Sequence, residues 1–82
     1  MRHEILLLGR TRELAGLETT TLELSEEATV GMVRAELERQ HPELIPLLPS
    51  CAIAVDHRYL DDRSMLGSSG VEIALVPPVS GG

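Results

Sequence analysis

The groups in this chain that are best suited to chemistry lie in its last six residues, Pro77-Pro78-Val79-Ser80-Gly81-Gly82. Glycine has no Cβ, so a tail that ends in two glycines can enter a channel too narrow for ordinary side chains. The two prolines stiffen the base of the tail and cannot donate to a β-ladder, so strand pairing should end before them. Six extended residues reach roughly 20 Å. We therefore expect an extended tail that carries the Gly82 carboxylate as the reactive group.

The alternative interpretation of this ending is a frayed terminus, since small polar residues at chain ends are commonly disordered. Fraying leaves unexplained why a rigid proline pair stands between an apolar, strand-like run and a diglycine. The pattern therefore favours a functional tail over residues 77–82, following a domain over residues 1–76.

Composition indicates one small domain and a protein partner. The chain has 82 residues, of which 43% are hydrophobic, and Tyr59 is its one aromatic residue, so an enclosed substrate pocket would be hard to build. The net charge of −6 disfavours nucleic acid and anionic membranes and favours a basic protein partner. All seven basic residues are arginine, so the chain has no side-chain amine to accept an isopeptide bond. Any amide conjugation would run outward through Gly82.

Cellular location is predicted from what the sequence lacks. A single cysteine cannot form an internal disulfide, and residues 1–4 lead into the domain without a signal peptide or a membrane-length apolar stretch. We therefore expect a cytoplasmic protein.

Apolar runs and β-branched residues predict two strands at the start of the chain. Residues 5–8 form an apolar run that is typical of a strand buried on both faces, and we expect this strand at the centre of the sheet. Residues 10–16 form a polar connector with at most two helical turns and a glycine stop. Residues 19–24 have leucines at period two, which predicts a second strand, antiparallel to the first, with one buried face.

One main helix is predicted in the middle of the chain, with Thr29 as its N-cap, an end near Gln40, and Pro42 preventing continuation. The helical spacing predicts a buried face and a solvent face, made respectively of Val30, Val33 and Leu37, and of Arg34, Glu38 and Arg39. Irregular structure or a short helical turn follows at residues 44–49. Further strands are expected at 51–55, 58–60 and 71–76, with a turn at Asp56-His57 and a polar loop at 61–70.

This order of elements resembles the ubiquitin-like β-grasp, an α+β fold in which one helix packs across a mixed sheet and the last strand lies beside the first. Two segments also resemble the small subunits of molybdopterin synthase. Residues 9–16, Gly-Arg-Thr-Arg-Glu-Leu-Ala-Gly, are similar to the family's "RELxG" segment, and residues 70–82 are similar to its "GDEVAFFPPVTGG" ending. The chain departs from the family where Leu75-Val76 replace an aromatic pair and where Asp56 replaces asparagine.

The resemblance implies a sulfur carrier that binds no cofactor permanently. An ATP-dependent adenylating enzyme would activate the Gly82 carboxylate, and a sulfur donor protein would convert it to a thiocarboxylate. The tail would then enter the large synthase subunit, in an expected two-plus-two heterotetramer, and give sulfur to cyclic pyranopterin monophosphate. The active site would lie on the large subunit, so this chain would be a sulfur-donating cosubstrate rather than an enzyme.

The same hypothesis gives each tail residue a role. Gly82 alone changes covalently, Gly81 gives steric access, and the segment from Pro77 and Pro78 through Val79 and Ser80 sets direction and reach. We expect the docking surface on the sheet face around Leu75, with Arg10 and Arg12 from the connector. Either arginine could instead form a local ion pair.

The remaining polar residues are weaker candidates for sites. Cys51 could carry a persulfide, but a lone cysteine that opens an apolar strand is usually a buried small hydrophobe. His3, His41 and His57 lack metal-ligand spacing, so we predict no metal site and expect exposed histidines. The acidic pairs are expected to be solvated.

Two other functions stay open at this point. Related diglycine carriers serve thiamin, cysteine or tRNA-thiolation pathways, and a plain interaction module would have an inert tail. Deleting Gly82 separates the last possibility from both kinds of carrier.

Overall fold

In a computed structural model, which describes residues 1–67 and 70–78, the chain forms a mixed five-stranded sheet with one main helix. The strands are β1 (Arg2–Leu7), β2 (Thr19–Glu23), β3 (Ala52–Val55), β4 (Arg58–Leu60) and β5 (Ile73–Val76). The helices are α1 (Gly9–Ala15) and α2 (Val30–Gln40), and two short 3-10 helices span Pro42–Leu44 and Leu48–Ser50. The strand order is β2-β1-β5-β3-β4.

This topology is the predicted ubiquitin-like β-grasp. β1 pairs antiparallel with β2 and parallel with β5, so the last strand lies beside the first, as expected. β5 in turn pairs antiparallel with β3, and β3 with β4. The prediction that the first strand is central is wrong, because β5 holds the middle position and β1 lies next to it.

The first strand is also buried on one face, whereas the apolar run predicted burial on both. His3, Ile5 and Leu7 point into the core, and Leu6 on the other face is half-buried. No described helix covers that second face, because α2 packs on the opposite side, where the core lies. The apolar run at residues 5–8 therefore contains two core residues, Ile5 and Leu7, and two residues outside the core, Leu6 and Leu8.

The main helix begins and ends as predicted. The Thr29 side chain accepts a hydrogen bond from the Met32 amide at 3.3 Å, which caps the helix, and Gln40 is its last residue. Gly31 in the first turn has a packing reason, since a Cβ there would lie 3.1 Å from the Asp62 carbonyl oxygen. The helix packs Val30, Val33 and Leu37 against the sheet, as predicted.

Arg34 is the exception on the predicted solvent face of α2. Its side chain is 20% exposed and pairs with the Asp62 carboxylate at 3.0 Å. The same guanidinium donates to the carbonyl oxygens of Leu48 and Cys51, the latter at 3.0 Å. Arg34 thus ties the helix to the segment that leads into β3, a role that helical periodicity alone does not indicate.

Candidate functional site: the tail base and the open sheet face

The tail leaves the sheet at Pro77, directly after the last paired residue of β5. Val76 pairs with Ala52 of β3, and Pro77 lies outside the ladder, so pairing ends before the proline pair as predicted. Pro78 is the last described residue of the tail, and the predicted site residues Val79, Ser80, Gly81 and Gly82 lie outside the described residues. Their expected roles stay predictions.

Gly9, the first residue of α1, lies against the tail base. Its φ is +55°, a left-handed conformation that favours glycine, and a Cβ at this position would lie 3.0 Å from Cγ of Pro77. The close approach needs both the backbone geometry and the missing side chain. α1 therefore sets the position of Pro77 from one side.

Thr11 holds the start of α1 in place, a role that sequence reasoning missed. The side chain is fully buried, its Oγ1 donates to the Leu8 carbonyl at 2.6 Å, and the Leu8 amide donates to the same oxygen at 3.1 Å. This reciprocal pair binds the first turn of α1 to Leu8, the residue that precedes the helix. The signal in the sequence is a threonine near the start of the polar segment 9–16, since a threonine hydroxyl can bond to backbone groups at the start of a helix.

Arg10, one of the predicted docking residues, lies near the base of the tail. Together with Gly9, Glu13 and Leu47 it lines a hollow whose opposite wall is formed by Pro77 and Pro78. Within residues 1–67 and 70–78, no carboxylate lies within ion-pair distance of Arg10. An exposed cation beside the tail is therefore available to a partner.

Arg12 is engaged in a local ion pair, the alternative considered for it. Its guanidinium donates to the Glu18 carboxylate at 2.6 Å, and both side chains are more than half exposed. Since exposed pairs contribute little to stability, the bond orients Arg12 on the surface without removing it from a partner's reach.

The prediction that Leu75 contributes to a docking surface is wrong, because its side chain is fully buried in the core. Side chains alternate along a strand, so Ile73 and Leu75 face the helix while Ala74 and Val76 face the other way. The accessible apolar residues of β5 are therefore Ala74 and Val76, the two neighbours of the predicted Leu75.

The outward-facing positions of four strands form a continuous apolar surface, which we call the open sheet face. In one row across this face, Leu6 of β1 pairs with Ala74 of β5, Ala74 with Ala54 of β3, and Ala54 with Tyr59 of β4. In the next row, Ala52 of β3 pairs with Val76 of β5. Tyr59 is 70% exposed. A hollow lined by Ser50, Ala52, Tyr59, Val76, Pro77 and Pro78 joins this face to the tail base.

The minor candidate sites have structural explanations. Cys51 is buried in the core, as expected, and burial raises the pKa of its thiol above the ordinary value, while the nearby Arg34 lowers it by less. His57 is exposed as predicted. The expectation is wrong for His3, which is 4% exposed, and for His41, whose side chain is 13% exposed. The Nε2 atom of His41 shares a 2.8 Å hydrogen bond with the Thr20 hydroxyl.

Metal ligation and membrane crossing find no support in the described part of the chain. Over residues 1–67 and 70–78, no three His, Cys, Asp or Glu side chains are grouped as metal ligands would be. Neither of the described α-helices has the length and apolar character needed to cross a membrane.

Comparison with known proteins identifies the family. The model of the ThiS family matches residues 5–82, which is nearly the whole chain and includes the tail. The chain belongs to the ThiS family. Among curated relatives, the molybdopterin synthase sulfur carrier subunit of Chlamydomonas reinhardtii is 32% identical, with all of both chains covered. The human protein of the same name is 30% identical over 96% of this chain and 92% of its own length.

Solved structures of similar proteins share the fold of this ThiS-family chain. SAMP1 of Haloferax volcanii superposes with a TM-score of 0.86 at 28% identity, with all of both chains covered. A chain from the complex of subunits 1 and 2 of the molybdopterin-converting factor of Helicobacter pylori superposes with a TM-score of 0.70 at 26% identity, again over all of both chains. The resemblance to molybdopterin synthase small subunits is therefore confirmed.

We predict that Gly9→Ala displaces the tail base. Alanine at φ +55° costs about 1–2 kcal/mol of unfolding free energy, and the new Cβ pushes on Pro77. Urea unfolding measures the first effect, and NMR shifts of the Val76 amide and the Pro77 carbons measure the second.

Gly16→Ala is the matched control, since Gly16 has φ +71° but no atom lies within 4 Å of the position that a Cβ would take. It should lose similar stability and leave the Val76 and Pro77 signals unchanged. Equal shifts in both variants would show that Gly9 does not position the tail.

Proposed function

We propose that this chain is the sulfur carrier subunit of a molybdopterin synthase, with Gly82 as the carrier residue. The observation that carries the proposal is the proline-diglycine ending, which directly follows the central strand in the sequence. The sulfur carrier subunit of Chlamydomonas reinhardtii matches this chain over the full length of both. The fold supplies a rigid base from which such a tail can be presented.

Activation must come first, because a carboxylate is a poor electrophile. In the proposed step, a Gly82 carboxylate oxygen attacks the α-phosphate of ATP, pyrophosphate leaves with the electron pair, and an acyl adenylate forms. A sulfur donor then attacks the acyl carbon and AMP departs. With a protein persulfide as the donor, this step gives an acyl disulfide and the persulfide proton goes to solvent. A thiol reductant then attacks the donor-side sulfur, the S–S bond breaks, and the Gly82 thiocarboxylate leaves with the electron pair while the donor stays in a mixed disulfide. The adenylating enzyme and the donor protein supply the catalytic groups.

The thiocarboxylate then delivers its sulfur in the large subunit. On this proposal the tail enters a narrow channel, where Gly81 presents no side chain to the walls. The thiocarboxylate sulfur forms a C–S bond to cyclic pyranopterin monophosphate in place of an oxygen substituent. Water then attacks the acyl carbon, the acyl C–S bond breaks, and Gly82 returns as a carboxylate for recharging, with one sulfur delivered per carrier turnover. The two sulfurs of the dithiolene would come from two charged carriers, which agrees with a two-plus-two assembly.

Docking on the large subunit is assigned to the open sheet face and Arg10. The face is apolar and continuous with the tail base, so a partner that covers it would bury apolar area while holding the tail. Arg10, beside Pro77, can pair with a partner carboxylate at the rim. The Helicobacter pylori complex shows that a structurally similar chain assembles with a second subunit. We assign the reaction to the cytoplasm.

We predict that charging depends on Gly82. Incubation with ATP, a sulfur source and the adenylating enzyme should raise the intact mass by one oxygen-to-sulfur exchange. Deletion of Gly82 should abolish the gain, because the remaining carboxylate is one residue short of the enzyme's acyl site. Glu38→Gln, a change on the exposed side of α2, is the control and should charge normally.

Two outcomes would contradict the proposed function. A deletion variant that charges as well as the full chain would show that Gly82 is not the carrier residue. Charged chain that passes sulfur to a thiazole synthase or a tRNA-thiolating enzyme, and not to the pterin, would assign the carrier to another pathway.

We predict that Ala74→Glu weakens binding to the large subunit without unfolding the chain. Ala74 lies on the open sheet face, so a carboxylate there stays solvated in the free chain but loses water in the complex. The expected loss of affinity is roughly 10-fold or more, by the ordinary cost of a desolvated charge. Isothermal titration calorimetry measures it.

Leu75→Ala is the matched control at the neighbouring position. Because Leu75 is fully buried, this variant should lower the unfolding free energy by about 2–5 kcal/mol. Folded Leu75→Ala protein should bind with nearly unchanged affinity. The docking assignment is contradicted when Ala74→Glu binds normally.

A further inference from the structure

A carrier whose C-terminal carboxylate is activated can react with a nucleophile on a second copy of the same chain. The acyl carbon of an adenylate can be attacked by amines and by thiolates. Other copies of the chain are always present in solution and could supply such groups. This inference rests on the proposed function, since it concerns the same activated Gly82. The question is which nucleophiles the surface of the chain offers.

Side-chain amines are absent from the whole sequence. The basic residues are Arg2, Arg10, Arg12, Arg34, Arg39, Arg58 and Arg63, and there is no lysine. A guanidinium stays protonated in proteins and has no free electron pair for acyl transfer, whereas a lysine amine becomes a nucleophile once it loses its proton. The chain thus keeps its positive charges without carrying amine acceptors.

The amine of Met1 is held by the sheet. Its ammonium donates to the Leu24 carbonyl oxygen at 2.6 Å and lies 3.8 Å from the Glu23 carboxylate. The Met1 carbonyl in turn accepts from the Leu24 amide at 2.8 Å, so both ends of the residue are paired to the strand beside it. Attack by this amine requires its hydrogen bond to the Leu24 carbonyl oxygen to break first.

The single thiol is withheld by burial. Cys51 is 5% exposed, and its environment includes Arg34, whose side chain donates to the Cys51 carbonyl at 3.0 Å. Burial raises the pKa of the thiol, so less of it is thiolate at neutral pH. A buried thiol reaches an acyl carbon on another copy only through local opening.

In the part of the chain that the structure describes, the exposed side chains that are left make poor or reversible acceptors. The Tyr59 phenol is 70% exposed, but hydroxyl groups are weak nucleophiles without a neighbouring base. The His57 side chain is 82% exposed, and an acyl group on an imidazole is returned to water. Neither group gives a lasting link between two chains.

We propose that the surface of this chain is depleted of nucleophiles so that activated Gly82 transfers its acyl group only to external acceptors and not to a second copy. In the avoided reaction, an amine electron pair forms a C–N bond to the acyl carbon, the C–O bond to AMP breaks, and the ammonium proton goes to solvent. The product would be an amide-linked dimer that can never be recharged at that terminus.

The first test restores an amine acceptor. Arg63→Lys and Arg58→Lys keep the charge at exposed positions, and Arg63→Gln is the matched control. Each chain is incubated with ATP and the adenylating enzyme without a sulfur donor, and intact mass spectrometry scores dimers of two chains less one water. Hydroxylamine added to a parallel sample reports the acyl adenylate as a hydroxamate.

The expected result is amide-linked dimer in the lysine variants alone. Wild-type chain and Arg63→Gln should stay monomeric while giving the same hydroxamate. The proposal is overturned by wild-type dimers at the rate of the lysine variants, or by monomeric lysine variants whose hydroxamate shows normal activation. A missing hydroxamate in every sample counts against the proposed function instead, and the second test then decides.

The second test needs no activating enzyme. The chain is prepared with a Gly82 thioester of a small mercaptan, and a phosphine reductant keeps disulfides from forming. Met32→Cys places a thiol at a 49% exposed position on α2, with Met32→Ser as control. Met32→Cys should form thioester-linked dimers, and the wild-type chain, whose thiol is Cys51, should not. Equal coupling in the wild-type chain would refute the proposal.

Discussion

The double pairing of β5 is the constraint on which the rest of this structure depends. The strand is parallel to β1 through Leu7 and Leu75 and antiparallel to β3 through Val76 and Ala52. Its parallel partner is separated from it by nearly the whole chain, so this pairing is among the most non-local contacts of the domain. Because Pro77 cannot continue the ladder, the tail begins at one defined residue, and Gly9 of α1 confines it from the side.

This arrangement divides the work between the chain and its partners. Among the described residues, the hydrophobic core is built from aliphatic side chains and Cys51. The apolar open sheet face is continuous with the tail base, which suits a protein that is held by one partner while its terminus is used. On the proposed function, the chain supplies the C-terminal carboxylate, and the partner proteins supply the catalytic groups.

The sequence predicts the elements well because their signals are local. The cap at Thr29, the helical spacing of the α2 core residues and the turn at Asp56 and His57, both with positive φ, are each visible within a few residues. The errors concern long-range placement. Every residue of 73–76 is apolar, so composition cannot say whether Ala74 or Leu75 faces the core; pairing with β1 and β3 decides it. Arg34 has the spacing of a solvent-facing residue, and only the approach of the segment before β3 buries it.

The most direct test of the account is a single-turnover sulfur transfer. Thiocarboxylated chain, purified large subunit and cyclic pyranopterin monophosphate are mixed in the absence of ATP, and the intact mass of the chain is followed together with the pterin product. The account predicts that the chain loses its sulfur and returns to the carboxylate mass as sulfur appears in the pterin. A chain that binds the large subunit but keeps its sulfur, with the pterin unchanged, would contradict it.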